Sequence, residues 1–235
     1  MRTRAAPRVR VETSRRTAFR RRLLAWYARN ARDLPWRRTR DPYRILVSEI
    51  MLQQTQVERV RAFYRRFLGR FPTVGALAEA RPEAVREAWD GLGYYARSRN
   101  PHKAARRVVA HHGGRIPRDP AAIQALPGVG PYTAGAVRSF AFGEAAPILD
   151  TNSARVLQRV FGVRGDRRRG RVTRRLWALA AAVTPAARTY DFNQAIMDLG
   201  ATVCTARAPR CPRCPLRRMC RTAAGRTAAD GRGDG

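Results

Sequence analysis

The chain has 235 residues, enough for one large or two small domains, and its 44% hydrophobic content is too high for a disordered protein. Its 48 lysine and arginine residues outnumber 17 acidic ones, and the formal net charge of +31 favours a polyanionic partner, nucleic acid before an anionic membrane surface. It has no apolar run of transmembrane length and no signal-peptide pattern near its N-terminus, so we expect a cytoplasmic protein.

Apolar residues recur at helical spacing along most of the chain and no alternating strand pattern stands out, which predicts an all-α fold. We expect a disordered basic arm over residues 1–16 and a disordered tail over 222–235. Proline, glycine and asparagine breakers separate the predicted helices. These cover 17–30, 43–56, 57–70, 83–90, 96–112, 120–125, 131–142, 152–162, 171–184 and 190–203.

Glu49 lies in the second predicted helix among apolar neighbours three and four residues away, such as Ile45 and Leu52. Such a carboxyl is either partly buried, with a raised pKa suited to a general acid, or solvated and paired with an arginine. The residues that follow, from Leu52 to Gln56, place the neutral amides of Gln53 and Gln54 where a helix could enter a duplex.

Tyr94 and Tyr95 adjoin Arg97 on a segment that begins with two glycines at 91 and 93. Aromatic side chains beside a cation suit stacking on bases, although tyrosines also pack protein cores. Both interpretations remain open for this segment.

A glycine turn spans residues 126–133, with the sequence LPGVGPYT. Gly128 and Gly130 permit a tight turn, and Pro131 suits the first position of the helix that follows. Such a turn exposes amides at a helix N-terminus, where phosphate binds readily. The alternative is an ordinary helix–helix turn, which the high positive charge of the chain disfavours.

Asp150 follows a short apolar stretch and precedes Thr151, Asn152 and Ser153. Taken alone, it predicts a helix N-cap. Its position 20 residues beyond the glycine turn, across one helix, would also let its carboxylate return toward a strand held by that turn.

The four cysteines of the chain lie within 17 residues, at a spacing of C-x6-C-x2-C-x5-C. Thiolates so close together predict a soft-metal centre, either zinc, copper(I) or an iron–sulfur cluster. A zinc ribbon usually shows two C-x2-C pairs, so the single pair here favours a 4Fe-4S cluster, while two disulfides are disfavoured in a cytoplasmic chain. The candidate ligands are Cys204, Cys211, Cys214 and Cys220.

Together these segments resemble the helix–hairpin–helix/GPD superfamily of base-excision DNA glycosylases, and the cysteine spacing resembles its iron–sulfur branch. Within that branch, several motifs are similar to those of MutY-type adenine DNA glycosylases, and the resemblance covers roughly residues 20–221. The motifs are PWR at 35–37, SEIMLQQTQV at 48–57, GLGYYAR at 91–97 and FNQ at 192–194.

The resemblance implies two helical domains with duplex DNA between them, in a monomer associated with the bacterial nucleoid. A six-helix domain would span 37–142, and an iron–sulfur domain would join 17–36 to 143–221. The DNA would contain a mismatch or an oxidised guanine. Catalysis would depend on four residues: Glu49 to protonate N7 of a flipped adenine, Asp150 to stabilise the cationic sugar, Asn152 to orient Asp150, and Tyr132 beside the sugar.

The resemblance also implies a set of substrate-binding positions. Arg32, Arg37, Leu52 and Gln194 would line the base pocket, and Gln54 and Tyr94 would wedge into the base stack. The hairpin residues Gly128, Val129 and Gly130, together with Gln53, would contact the DNA.

Tyr132 takes the position of the lysine that makes endonuclease III-like members strand-cleaving enzymes, so the resemblance implies hydrolysis of the glycosidic bond with little or no lyase activity. Tyrosine also occurs here in thymine or uracil mismatch glycosylases, which are the enzymatic alternative. A structure-specific DNA-binding protein is the non-enzymatic one. The chain ends 15 residues after Cys220, where many MutY-type enzymes continue into a domain that reads 8-oxoguanine, so its lesion preference stays open.

Overall fold

The computed structural model describes residues 9–93 and 99–224, and within these ranges it contains helices and no strands, which confirms the predicted all-α class. No described helix is both long and apolar enough to cross a membrane. The α-helices are α1 Thr13–Asn30, α2 Pro42–Leu52, α3 Val57–Arg70, α4 Val74–Glu79, α5 Pro82–Trp89, α6 Arg99–His112, α7 Pro120–Gln124, α8 Pro131–Phe140, α9 Thr151–Phe161, α10 Gly170–Val183 and α11 Thr189–Thr202.

The chain divides into two compact units. The hairpin unit is Asp33–Glu144 and contains α2 to α8; the cysteine unit joins Met1–Arg32 to Ala145–Gly235 and contains α1 and α9 to α11. In the hairpin unit, α2 packs on α3 and α8, and α4 packs on α6. In the cysteine unit, α11 packs on α1 and α9 around a core that includes Phe19 and Phe192.

The first helix starts earlier than the sequence predicts, at Thr13, so residues 13–16 are helical rather than part of the disordered arm. Tertiary contacts explain the extension: the Arg15 guanidinium donates hydrogen bonds to the carbonyls of Val160 (3.1 Å) and Met219 (2.8 Å). Residues 1–8 of the predicted arm lie outside the described residues.

The structure differs from the prediction in one further helix and at the C-terminal tail. Helix α4 is missing from the predicted set because it has only six residues and contains Gly75, and it gives the hairpin unit seven described α-helices where six are predicted. A helical turn over 221–224 includes the first three residues of the predicted disordered tail, and the Thr222 hydroxyl donates to the Arg159 carbonyl (3.0 Å). The rest of that tail lies outside the described residues.

Candidate active site and cysteine loop

Helix α2 buries Glu49. The helix begins at Pro42, and the Asp41 carboxylate caps it by accepting hydrogen bonds from the amides of Tyr43 (2.8 Å) and Arg44 (3.1 Å). Every residue from 45 to 51 is buried, and Glu49 itself is only 3% exposed. The structure therefore confirms the buried interpretation of Glu49 over the solvated one.

The chain leaves the helix after Leu52, so the predicted helix over 43–56 is four residues too long. Gln54 has a left-handed backbone with φ of +56°, which ends the helix and is uncommon for a residue other than glycine. The amides of the two glutamines therefore lie on a turn and not on a helix that could enter a duplex. Gln54 is exposed, whereas Gln53 is half-buried and its side-chain amide donates to the Gly128 carbonyl (3.2 Å).

The glycine turn joins α7 to α8 as predicted, but its two glycines do different things. Gly128 has φ of +80°, and a Cβ there would lie 2.7 Å from the Cβ of Asn100, so only glycine fits. Gly130 has an ordinary extended backbone, and a Cβ there would meet no atom within 4 Å. Val129 is buried, so it can offer a ligand only its backbone. The open approach to Gly130 lies at the N-terminus of α8, where a phosphate would be stabilised by the helix dipole.

Other predicted positions of the hairpin unit lie on the ends of short elements. Arg37 closes a 3-10 turn that starts at Pro35, Leu52 is the last residue of α2, and Tyr132 is the second residue of α8. All three are half-buried. The predicted stacking residue Tyr94 lies outside the described residues.

Asp150 caps α9, and both of its carboxylate oxygens accept hydrogen bonds. Oδ1 accepts from the Ser153 amide (2.7 Å), while the Ser153 hydroxyl accepts from the Asp150 amide (2.8 Å), which completes a capping box. Oδ2 accepts from the Asn152 side-chain amide (3.0 Å), the contact expected for a residue that orients Asp150. The N-cap interpretation is confirmed, and it does not exclude a second role for the carboxylate.

Arg155 extends this network toward the cysteine loop, which is the segment over 204–220 that contains the four cysteines. No local sequence pattern predicts this role of Arg155. Its guanidinium donates to Asn152 Oδ1 (2.8 Å) and to the carbonyls of Gly200 and Cys204 (both 2.7 Å). Burial lowers the pKa of Arg155 from its ordinary value, and the Cys204 thiol acts in the opposite direction. Arg155 thus joins the residue that orients Asp150 to the first cysteine of the loop.

Two predicted pocket residues lie in the cysteine unit. Arg32 is bound to Asp198, which is fully buried. The Arg32 side chain donates to Asp198 Oδ1 (2.6 Å), and the Arg32 backbone amide donates to Asp198 Oδ2 (3.3 Å). Gln194 is buried on α11, next to Asn193, whose side-chain amide donates to the Ala146 carbonyl (2.9 Å). The ion pair positions Arg32, and its predicted place beside a base stays a prediction.

All four cysteines line one small apolar cavity of about 30 Å³. They are free thiols, and two 3-10 turns, Cys211–Arg213 and Arg217–Met219, shape the loop between them. Burial raises the pKa of Cys214 to about 11. Among residues 9–93 and 99–224, no group of three or more His, Cys, Asp or Glu side chains is arranged to hold a metal ion, so the cluster stays a prediction.

Comparison with known proteins identifies the superfamily of the chain. Residues 47–182, more than half of the chain, match the HhH-GPD superfamily of base excision DNA repair proteins. The chain belongs to this superfamily. This HhH-GPD protein is 48% identical to the adenine DNA glycosylase of Homo sapiens over 214 residues, which cover 87% of this chain and 39% of the relative. The predicted resemblance to the adenine DNA glycosylases is thereby confirmed.

Two solved structures have the same fold as this chain. A thermostable thymine-DNA glycosylase superposes with a TM-score of 0.83 at 34% identity, over 90% of this chain and 98% of that one. A trapped covalent complex of endonuclease III with DNA gives a TM-score of 0.77 at 23% identity, over 92% of this chain and all of that one, and at this identity it shows the fold alone. The HhH-GPD chain spans about two-fifths of the length of its mammalian relatives.

Proposed function

We propose that this protein is a monofunctional DNA glycosylase that removes adenine mispaired with 8-oxoguanine or guanine from duplex DNA. Similarity to adenine DNA glycosylases across 87% of the chain carries the choice of base. The burial of Glu49 supports the chemistry, because it places this carboxyl where bulk water is excluded.

In the proposed reaction, adenine is first flipped out of the duplex, at a cost of a few kcal/mol. Glu49 then donates a proton to N7 of the base, which makes adenine a neutral leaving group. The Asp150 carboxylate, oriented by Asn152, stabilises the positive charge that develops on the sugar until water attacks the anomeric carbon. Tyr132 lies beside the sugar and has no amine to form a Schiff base, so the strand stays intact.

The cysteine loop would hold a 4Fe-4S cluster through Cys204, Cys211, Cys214 and Cys220. Their common cavity and their thiol chemistry fit such a centre. When bound, the cluster would cross-link the loop and fix its backbone. The residues of the chain that touch this loop, above all Arg155, would then hold α9 and its N-cap Asp150 in place.

Removal of thymine or uracil is the second candidate, because a thymine-DNA glycosylase covers nearly the same length of chain with a TM-score of 0.83. The identity to that protein is 34%, against 48% for the human adenine DNA glycosylase. The adenine reaction is therefore the better supported of the two.

Incubation of the full chain with duplexes carrying A·8-oxoguanine, A·G, G·T and G·U, followed by hot alkali, tests both candidates. We expect strand breaks at adenine in the first two duplexes and intact strands when the alkali is omitted. Breaks in G·T or G·U alone would replace adenine by thymine or uracil as the substrate. Binding without strand breaks in any duplex would favour the non-enzymatic alternative, a structure-specific DNA-binding protein.

A further inference from the structure

A broad groove of about 820 Å³ lies against the second half of α9 in the cysteine unit, and we call it the α9 groove. Helix α9 presents Arg155, Gln158 and Arg159 to the groove, at the spacing of one helix face, while Leu157 and Val160 on the other face are buried in the core. The groove walls are completed by three exposed arginines, Arg164, Arg167 and Arg221.

Hydrogen bonds to the cysteine loop fix the two α9 arginines of this groove, Arg155 and Arg159. Arg155 and Arg159 donate to backbone carbonyls of the cysteine loop, Arg159 to Thr205 (2.7 Å) and Ala206 (2.9 Å), so they are fixed in place as a positive wall. Asp166 lies in the loop between α9 and α10, but its carboxylate is bound by Arg168 (2.9 Å). The charge of the groove therefore remains strongly positive, and an anion in it would relieve repulsion between the guanidinium groups.

The size and lining of the groove favour a chain of phosphates over a small molecule. Pockets for small ligands have similar volumes but mostly apolar walls, whereas channels that follow a nucleic-acid backbone are open and basic. The stretch of α9 that lines the groove runs from Arg155 to the C-cap Gly162, about 10 Å at about 1.5 Å per residue. That length matches about three nucleotides at about 3.4 Å per nucleotide along one strand.

Contacts link the groove to the residue proposed to stabilise the sugar. The Arg167 guanidinium donates to the carbonyl of Thr151 (3.1 Å), which directly follows Asp150. Arg155 holds Asn152, which in turn donates to Asp150. A phosphate chain in the groove would thus lie along the same helix that Asp150 caps.

We infer that the α9 groove binds the phosphate backbone of duplex DNA through Arg164, Arg167 and Arg221. This inference rests on the proposed function, which makes duplex DNA the substrate. It adds a site within the cysteine unit to the one expected at the glycine turn of the hairpin unit.

The test compares two triple variants of the full chain. The groove variant carries Arg164→Gln, Arg167→Gln and Arg221→Gln; the control variant carries Arg86→Gln, Arg106→Gln and Arg107→Gln, three exposed arginines on α5 and α6. Fluorescence anisotropy gives the Kd for an undamaged duplex between about 50 and 200 mM salt. We expect the slope of log K against log salt to fall by about 0.9 for each phosphate that the protein no longer neutralises, in the groove variant only.

A third variant, with lysine at the same three groove positions, keeps the charge and should restore the slope, provided that all proteins show equal helical content and melting temperature. Equal slopes for the groove and control variants would overturn the inference, since the charge would then act diffusely. A lysine variant that behaves like the glutamine variant would also overturn it, because positive charge at these positions would then not be what binds the duplex. Adenine release by the wild type, measured separately at saturating enzyme, tells whether the proposed function itself has failed.

Discussion

Glu49 and Asp150 lie in different environments. Glu49 is 3% exposed and stands in a stretch of α2, residues 45–51, in which every residue is buried. Hydrogen bonds position Asp150, which is half-buried and has each carboxylate oxygen bound by a donor from the first turn of α9. Burial excludes bulk water from the Glu49 carboxyl, whereas directed hydrogen bonds fix the orientation of the Asp150 carboxylate.

This difference indicates which changes each carboxyl can tolerate. Glu49→Gln keeps the size of the buried side chain, so a decrease in rate would report the loss of the carboxyl. The Asp150 carboxylate depends on hydrogen-bond partners, and a change at Asn152, Arg155 or Gly200 can move it without direct contact. Substitutions at the carboxyls, at their partners and at the neighbouring glutamine turn should therefore have effects of decreasing size.

Removing either proposed catalytic group should have the largest effect. We expect Glu49→Gln and Asp150→Asn each to slow single-turnover adenine release by a factor of about 10² to 10⁴, the usual contribution of a positioned acid or charge. Asparagine caps helices as well as aspartate does, so α9 should remain folded in Asp150→Asn. The measurement is adenine release from an A·8-oxoguanine duplex, with gel-shift binding to show that DNA recognition is retained.

A matched control is Asp119→Asn, which alters another aspartate N-cap, on α7, where the carboxylate accepts from the Ala122 amide (2.7 Å). Its rate should equal that of the wild type. A wild-type rate for Glu49→Gln would remove Glu49 from the mechanism, and a wild-type rate for Asp150→Asn would leave Asp150 as a helix cap alone.

A Cβ at Gly200 should disturb Asp150 through Asn152. At Gly200→Ala the new Cβ would lie 2.7 Å from the Asn152 Cβ and 2.8 Å from its carbonyl oxygen, so α9 and α11 must move apart. We expect the free energy of unfolding to fall by about 1–3 kcal/mol, as for other overpacked sites. Adenine release should slow by up to about 10²-fold, because a displacement of about 1 Å can cost that much.

Gly69→Ala provides the comparison, since a Cβ there meets no atom within 4 Å and alanine is the better helix former. It should raise the free energy of unfolding by roughly 0.5–1 kcal/mol and leave the rate unchanged. Denaturant titration and single-turnover kinetics measure both effects. Wild-type kinetics in a folded Gly200→Ala variant would show that Asp150 does not depend on the position of Asn152.

Local signals in the sequence are enough to predict the all-α class and the position of Asp150 at the start of a helix, and they leave the burial of Glu49 as one of two alternatives. Apolar neighbours three and four residues from Glu49 are compatible with burial, and an aspartate followed by a threonine, an asparagine and a serine indicates a cap. Both signals depend on residues within one or two helical turns, which is why the sequence alone reveals them.

Arg155 and Gly200 are not predicted, because their roles depend on contacts between segments far apart in the chain. Arg155 meets carbonyls 45 and 49 residues away, and Gly200 matters only because α11 lies against Asn152. The turn at Gln54 is missed for a different reason. Four polar residues at the end of a helix fit its continuation, and hydrophobic periodicity carries no mark of a positive φ.

The two glutamines of that turn give the smallest expected effects. Gln53→Ala removes the hydrogen bond to the Gly128 carbonyl and should lower the free energy of unfolding by about 0.5–1.5 kcal/mol. Because this bond ties the glutamine turn to the glycine turn, we expect binding to damaged and undamaged duplexes to weaken equally. Denaturant titration and anisotropy with both duplexes measure these changes.

Gln54→Gly should leave stability almost unchanged and weaken binding to one of the two duplexes only. Glycine relieves the left-handed backbone at φ of +56° but makes the unfolded chain more flexible, so the free energy of unfolding should stay within about 0.5 kcal/mol of the wild type. If the strained, exposed side chain is retained for contact with the lesion, only binding to the A·8-oxoguanine duplex should weaken. Equal weakening on both duplexes would instead indicate that Gln54, like Gln53, supports the glycine turn.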